Sequence, residues 1–197
     1  MACGRRDGAA RKVGKMSHEI RITEIPEAEL SRAQREALVA VMGGRGFLPT
    51  PYKVWLHSPE LVGLMEALGT FLNKRSSLLP REVEIAVLVV ASHWHSEMVF
   101  GGHAVTAQGL GVPGDAMDAI WAGTDASPYF DDRREQSVYA IAVSAADHDS
   151  ASDEVFDSAV AALGRDGLAE LLALLGYFSA VAIAMKLHRV PKPAPKS

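Results

Sequence analysis

Cysteine is almost absent from this sequence. Among 197 residues there is one, Cys3. A single thiol excludes an intramolecular disulfide, a cysteine-rich zinc site and a two-thiol redox centre. Excess positive charge is also lacking. The net charge is −4, which disfavours a basic nucleic-acid-binding surface. No uninterrupted apolar run reaches membrane-spanning length. The longest, LLALLGYFSAVAIAM over 171–185, is fifteen residues between Glu170 and Lys186, whereas a membrane helix needs about 20. It reads as a fully buried helix or one packed on another subunit. Strand-like alternation of apolar and polar residues is nearly absent as well, which argues against a sheet protein.

What remains is an ordinary globular composition, with 48% hydrophobic and 22% charged residues, enough for one sizeable core. The first fifteen residues carry Arg5, Arg6, Arg11, Lys12 and Lys15 against Asp7, so the rest of the chain is distinctly acidic. No apolar segment of signal-peptide type follows them. The expected organisation is a basic tail over 1–16, one helical domain over 17–190 and an extended tail over 191–197. A cytoplasmic location is expected, with neither nucleic-acid nor membrane partners.

Helix signals recur along the domain. A stripe over 28–42 joins Leu30, Ala33, Ala37, Leu38 and Val41, and Gly43, Gly44 and Gly46 end it. Pro49 and Pro51 predict no easy restart. Ser58-Pro59-Glu60 and Leu79-Pro80-Arg81-Glu82 place proline at a first helical position, with an acid beside it. The second of these opens a helix to about His95. Ser96-Glu97 starts another that ends near Gly109 and Gly111. Further helices are expected over 114–123, 131–146, 152–164 and 166–189, with a loop at 124–130. The fold class is all-α, a single-domain bundle of about seven or eight helices.

The chemistry concentrates between Arg81 and Gly111. Glu84 lies early in a helix that is otherwise apolar on every side, Ile85 to Ala91. A carboxylate there feels burial and the helix N-terminus in opposite senses, which is how a general acid or base is tuned. Ser96, Val99 and His103 share one helical face, and Gly102 and Ala104 leave room beside the imidazole. His93 and His95 are two apart, on opposite faces of any regular helix, so they cannot ligate one metal together. A Glu84, His95 and His103 metal site is geometrically conceivable but lacks a tight ligand pattern, and no metal is assigned. His57 stands beside a helix entry, His148 lies in an acidic loop and His188 near the last helix end. Trp55, Phe100, Trp121 and Tyr177 read as core or interface aromatics.

This stretch resembles the carboxymuconolactone decarboxylase family, which includes AhpD-like alkylhydroperoxidases. Glu84 stands at the family's glutamate, Ser96 and Val99 at the two cysteine positions and His103 at the histidine, followed by Ala107 and Gly111. The segments LHSPELVGLMEALGTFL, LPREVEIAVLVV, GVPGDAMDAIWAG and GLAELLALLGYFSAVAIAMKL resemble the flanking helices. The resemblance implies an AhpD-like helical fold and a homo-oligomer, as dimer, trimer or hexamer. It also implies a cofactor-free lyase acting on a small-molecule substrate. Peroxide reduction in that family proceeds by thiolate attack and disulfide formation, and neither serine nor valine performs those steps. The expected catalytic pair is Glu84 with His103. Arg81, Ser96, Val99, Phe100, His95 and His57 are the expected substrate-binding residues, with Arg81 holding a substrate carboxylate. A non-catalytic ligand-binding protein is the alternative reading.

Overall fold

The computed structural model describes residues 19–147 and 150–193. Cys3, His148 and the basic tail expected over 1–16 lie outside them, as do residues 194–197. Among the described residues the chain forms eight α-helices, two short 3-10 turns and no strands. In chain order they are α1 (Arg32–Arg45), α2 (Thr50–Trp55), α3 (Pro59–Lys74), α4 (Pro80–His93), α5 (Glu97–Gly109), α6 (Gly114–Ala122), α7 (Arg133–Ala146) and α8 (Asp153–Leu187). The 3-10 turns cover Glu27–Glu29 and Ser127–Tyr129.

Helix α4 is the axis of the bundle. Every residue from Glu82 to Ser92 is buried, as an all-round apolar helix must be. Helices α5, α6, α7 and α8 pack around it, while α1, α2 and α3 form a second group reaching the core through α8. One acid is deeply buried at its start. Glu82 is 1% exposed and accepts the Leu79 N–H at 2.8 Å. It also receives Arg134 from α7 at 2.6 and 3.1 Å. Arg134 in turn reaches the Ala162 carbonyl on α8. Three helix segments therefore meet on one ion pair, whose carboxylate is buried and whose guanidinium is partly exposed.

Several boundaries differ from the expectation. Helix α1 starts at Arg32 because Ser31 and Gln34 form a reciprocal capping box, a pattern that satisfies two free N–H groups at once. It runs through Gly43 and Gly44 and stops at Gly46, which is left-handed (φ +77°). The expectation that Pro49 and Pro51 prevent a restart is corrected: α2 begins between them, at Thr50. Proline lacks only a donor that the first helical turn leaves unused, so it is tolerated there. The loop expected at 124–130 contains the second 3-10 turn. Ser58 precedes α3 as expected, but its hydroxyl makes no cap bond.

The junction between α4 and α5 sets the site. The His95 N–H bonds the Ser92 carbonyl and the Ser96 N–H bonds the Ala91 carbonyl, with His95 left-handed at φ +49°. This is the paired hydrogen-bond pattern of a Schellman helix end, occupied by histidine where glycine is usual. It closes α4 and turns the chain at once into α5. Helix α8 is interrupted at Gly164 (φ +74°, ψ +170°), where two separate helices were expected to meet. Beyond the kink, Leu171, Leu174, Phe178, Ala182 and Met185 enter the core. Leu172 and Leu187 face outward at 51% and 61% exposure. The helix is thus buried on one side of this chain and open on the other. By length and composition α8 is long and apolar enough to cross a membrane, with half of its most apolar window buried inside the protein.

Candidate active site

Helices α4 and α5 form a hairpin. Glu84 sits nine residues before the end of α4 and His103 six residues into α5, about 14 and 9 Å of helix at 1.5 Å per residue. The two positions therefore lie within about one helical turn of each other across the hairpin, and their side chains meet. His103 Nδ1 lies 2.8 Å from Glu84 Oε2. A carboxylate can only accept, so with Glu84 ionised Nδ1 carries the proton and donates it. That fixes the tautomer and leaves Nε2 as the second functional atom of the ring. Glu84 is 8% exposed. The Phe178 ring meets the imidazole edge-to-face at 5.0 Å, which limits its rotation.

His103 is on the wall of a cavity of about 330 Å³ between the end of α1, the 47–52 segment, α3, α5 and α8. Glu84 does not line it and stands behind the imidazole. Val99, Met98 and Gly102 come from α5, and Phe178 and Val181 from α8. The polar part of the wall is Arg45, Tyr52, Asn73 and Tyr177, with Thr50 and Thr106. Among the described residues this wall holds one guanidinium and one imidazole and no carboxylate.

Most residues expected to bind substrate stand elsewhere. Val99 is on the wall and buried. Ser96 is buried at the start of α5, off the wall, and its Oγ has no hydrogen-bond partner. Phe100 packs against Trp121 with ring centroids 4.7 Å apart. His95 is exposed at the junction. His57 Nε2 is 3.0 Å from the Thr23 carbonyl. Arg81 is committed to α7 and to the turn after α5, with Nε 2.6 Å from Glu135 Oε1 and Nη1 donating to the Gly111 carbonyl at 2.9 Å. None of these last four lines the cavity. Burial pushes the Glu135 carboxyl up, against the lowering effect of the Arg81 charge. Among the described residues no three His, Cys, Asp or Glu side chains gather to hold a metal, so Glu84, His95 and His103 do not form the conceivable triad.

Sequence reasoning missed Arg45, Tyr52 and Asn73. Arg45 Nε is 2.7 Å from Glu66 Oε2, and Thr70 holds the other oxygen of Glu66 at 2.8 Å. Arg45 Nη2 lies 3.4 Å from the Tyr52 hydroxyl, and the Tyr52 and Tyr177 hydroxyls are 3.4 Å apart. Burial first, then hydrogen bonding to Glu66 and Tyr177, pushes the Tyr52 phenol far above its ordinary range. Burial also raises Tyr177, partly offset by Tyr52 and Arg45. Both therefore stay neutral hydroxyls. Burial would raise Glu66, but bonds from Tyr52, Arg45 and Thr70 bring it below the usual carboxylate value. The only sequence signal for Arg45 was its place in Gly43-Gly44-Arg45-Gly46, a cation where a helix ends.

No family model matches the chain, and no curated protein matches it in sequence. Solved structures do share its fold. The debrominase Bmp8 in its apo form gives a TM-score of 0.67 at 12% identity, covering 88% of this chain and 92% of that one. A cysteine-to-alanine variant of Bmp8 in complex with 2,3,4-tribromopyrrole gives 0.66 at 12%, covering 88% and 91%. A protein of unknown function from Agrobacterium tumefaciens, associated with AhpD-type antioxidant defence, gives 0.62 at 14%, covering 72% and 96%. The chain therefore has the AhpD-like all-helical fold. At such low identity the likeness concerns the fold alone.

Proposed function

We propose that this protein is a small-molecule enzyme working by acid/base catalysis, a lyase that decarboxylates a small carboxylated lactone or keto acid. The observation carrying this reading is the 2.8 Å Glu84–His103 bond placed directly behind a cavity wall. In this reading His103 Nε2 faces the substrate and Glu84 is the positioning residue. When the carbon–carbon bond to the carboxyl group breaks, carbon dioxide leaves and its electron pair moves onto the neighbouring carbonyl as an enolate. The protonated imidazole then delivers Nε2–H to carbon, and solvent restores the proton. Glu84 holds the ring's orientation and offsets the imidazolium charge, the role a carboxylate plays behind histidine in other acid/base sites.

The neighbour's debromination and AhpD-type antioxidant chemistry suggest thiol-based alternatives. Ser96 and Val99 stand where the resemblance places the thiols, and Cys3 is the one cysteine of the chain. A hydroxyl does not cycle with peroxide as a thiolate does, so a thiol-dependent reaction is disfavoured.

The test is a screen of small carboxylated lactones and keto acids for release of carbon dioxide, repeated with His103→Ala. Turnover should fall by about 10²–10⁴-fold, the usual contribution of one acid/base group, with the fold intact by circular dichroism. Undiminished turnover in His103→Ala overturns the reading. Compounds that bind but are never turned over point instead to a non-catalytic ligand-binding protein.

A further inference from the structure

The cavity contains a second built feature, on its α1–α3 side. Gly69 lies in the middle of α3, where glycine costs about 1 kcal/mol relative to alanine. Its reason is steric. A Cβ there would collide with the Tyr177 hydroxyl, reach Tyr177 Cζ at 2.8 Å and reach Arg45 Nη2 at 3.3 Å. The bare backbone of Gly69 thus makes the space in which Tyr177 and Arg45 come together. The Gly69 carbonyl also holds Asn73 Nδ2 at 2.7 Å, and Asn73 lines the cavity.

Arg45 is fixed rather than free. Glu66 takes Nε from outside the cavity wall, and the Tyr52 ring lies under the guanidinium, 5.4 Å from its centroid. Nη1 has no protein acceptor among the described residues. Glu66 balances the charge of Arg45 but takes only Nε, and Nη2 is shared at 3.4 Å with the Tyr52 hydroxyl, so Nη1 is left for a ligand. A planar fork with its stem held on the far side is suited to a carboxylate.

We propose that Arg45, held by Glu66 and seated over Gly69 beside Tyr52 and Tyr177, is the specificity-determining anchor that binds the carboxylate of a small acid in this cavity. It replaces Arg81 in the role first expected for that residue. The assignment rests on the reading that the His103 cavity is the ligand site, but not on any turnover there. It also agrees with a wall that presents hydrogen-bond donors and no carboxylate.

The experiment uses the full chain and two probes of matched shape, benzoate and benzamide, followed by amide chemical shifts and the Arg45 Nε–H resonance. Benzoate should bind at least tenfold more tightly than benzamide and move the Arg45 signal. Arg45→Gln should erase that preference, and Gly69→Ala should weaken it without removing any charge. His103→Ala should keep it. Equal binding of the two probes by the natural sequence overturns the proposal without any variant being made. So does a preference that survives Arg45→Gln in a folded protein, or one that disappears only in His103→Ala. A failed anchor with a working His103 leaves the acid/base reading intact. A working anchor with no turnover removes only the lyase.

Discussion

The Glu84–His103 contact can be tested without any substrate, through a double-mutant cycle on stability. Glu84→Gln keeps the side-chain volume but replaces a carboxylate acceptor with an amide. His103→Ala removes the ring together with its edge contact to Phe178. That second loss is common to both backgrounds and cancels in the cycle. What survives is the 2.8 Å bond itself, between side chains 26% and 10% exposed. Such limited exposure leaves little solvent screening. Hydrogen bonds to charged groups are worth about 1.5–3 kcal/mol and neutral ones about 0.5–1.5 kcal/mol. A coupling energy of about 1–3 kcal/mol is therefore expected, read from urea unfolding of the four proteins. Added salt should change it little, because a partly buried pair is screened far less than a surface pair. Distant, independent sites add to within about 0.5 kcal/mol. A double variant as destabilised as the sum of its singles, within that margin, would show that the two side chains do not meet. The proposed catalytic arrangement would fall with it.

Two further perturbations test the frame that holds the site. Arg134→Ala strands Glu82 as a charge that is 1% exposed, and breaking a buried pair from one side costs about 3–5 kcal/mol. Urea titration should show that loss, and one below 1 kcal/mol would contradict the placement of Glu82. Gly164→Ala forces a side chain onto φ +74°, ψ +170° with open space around it. The cost is then conformational alone, about 1–3 kcal/mol. For a chain of this size that is a fall of several degrees in Tm. An unchanged Tm would mean that α8 passes through residue 164 without the kink.

Much of the helical frame was legible in the sequence because its signals are local. The proline and acid pairs at Pro59-Glu60 and Pro80-Arg81-Glu82 begin α3 and α4 where expected. The uninterrupted apolar run after Glu84 identified the central helix, since only a buried helix tolerates apolar residues on every side. Gly164 marked the break in the last helical stretch. Two boundaries were misread, both where local signals conflict. Glycines at 43 and 44 looked like a stop, yet α1 runs past them to Arg45, whose Nε pairs with Glu66 on α3. Prolines at 49 and 51 looked like a barrier, yet α2 uses one of them in its first turn.

The composition and order of residues determined an all-helical chain with an acid and an imidazole on successive helices, and a resemblance to known proteins suggested that they meet. Which arginine joins them was decided only in three dimensions. Arg81 is three residues from Glu84 and Arg45 is thirty-nine away, so sequence distance favours the wrong one. On α4 a step of three residues leaves the two side chains only about 60° apart, so periodicity alone does not separate them; the packing of α7 does, by drawing Arg81 to Glu135. Arg45 reaches the cavity because α1 ends there, α3 offers a position without a Cβ, and α8 supplies Tyr177. A helix's own sequence sets its periodicity, but the direction each side chain finally faces depends on how that helix is rotated against its neighbours.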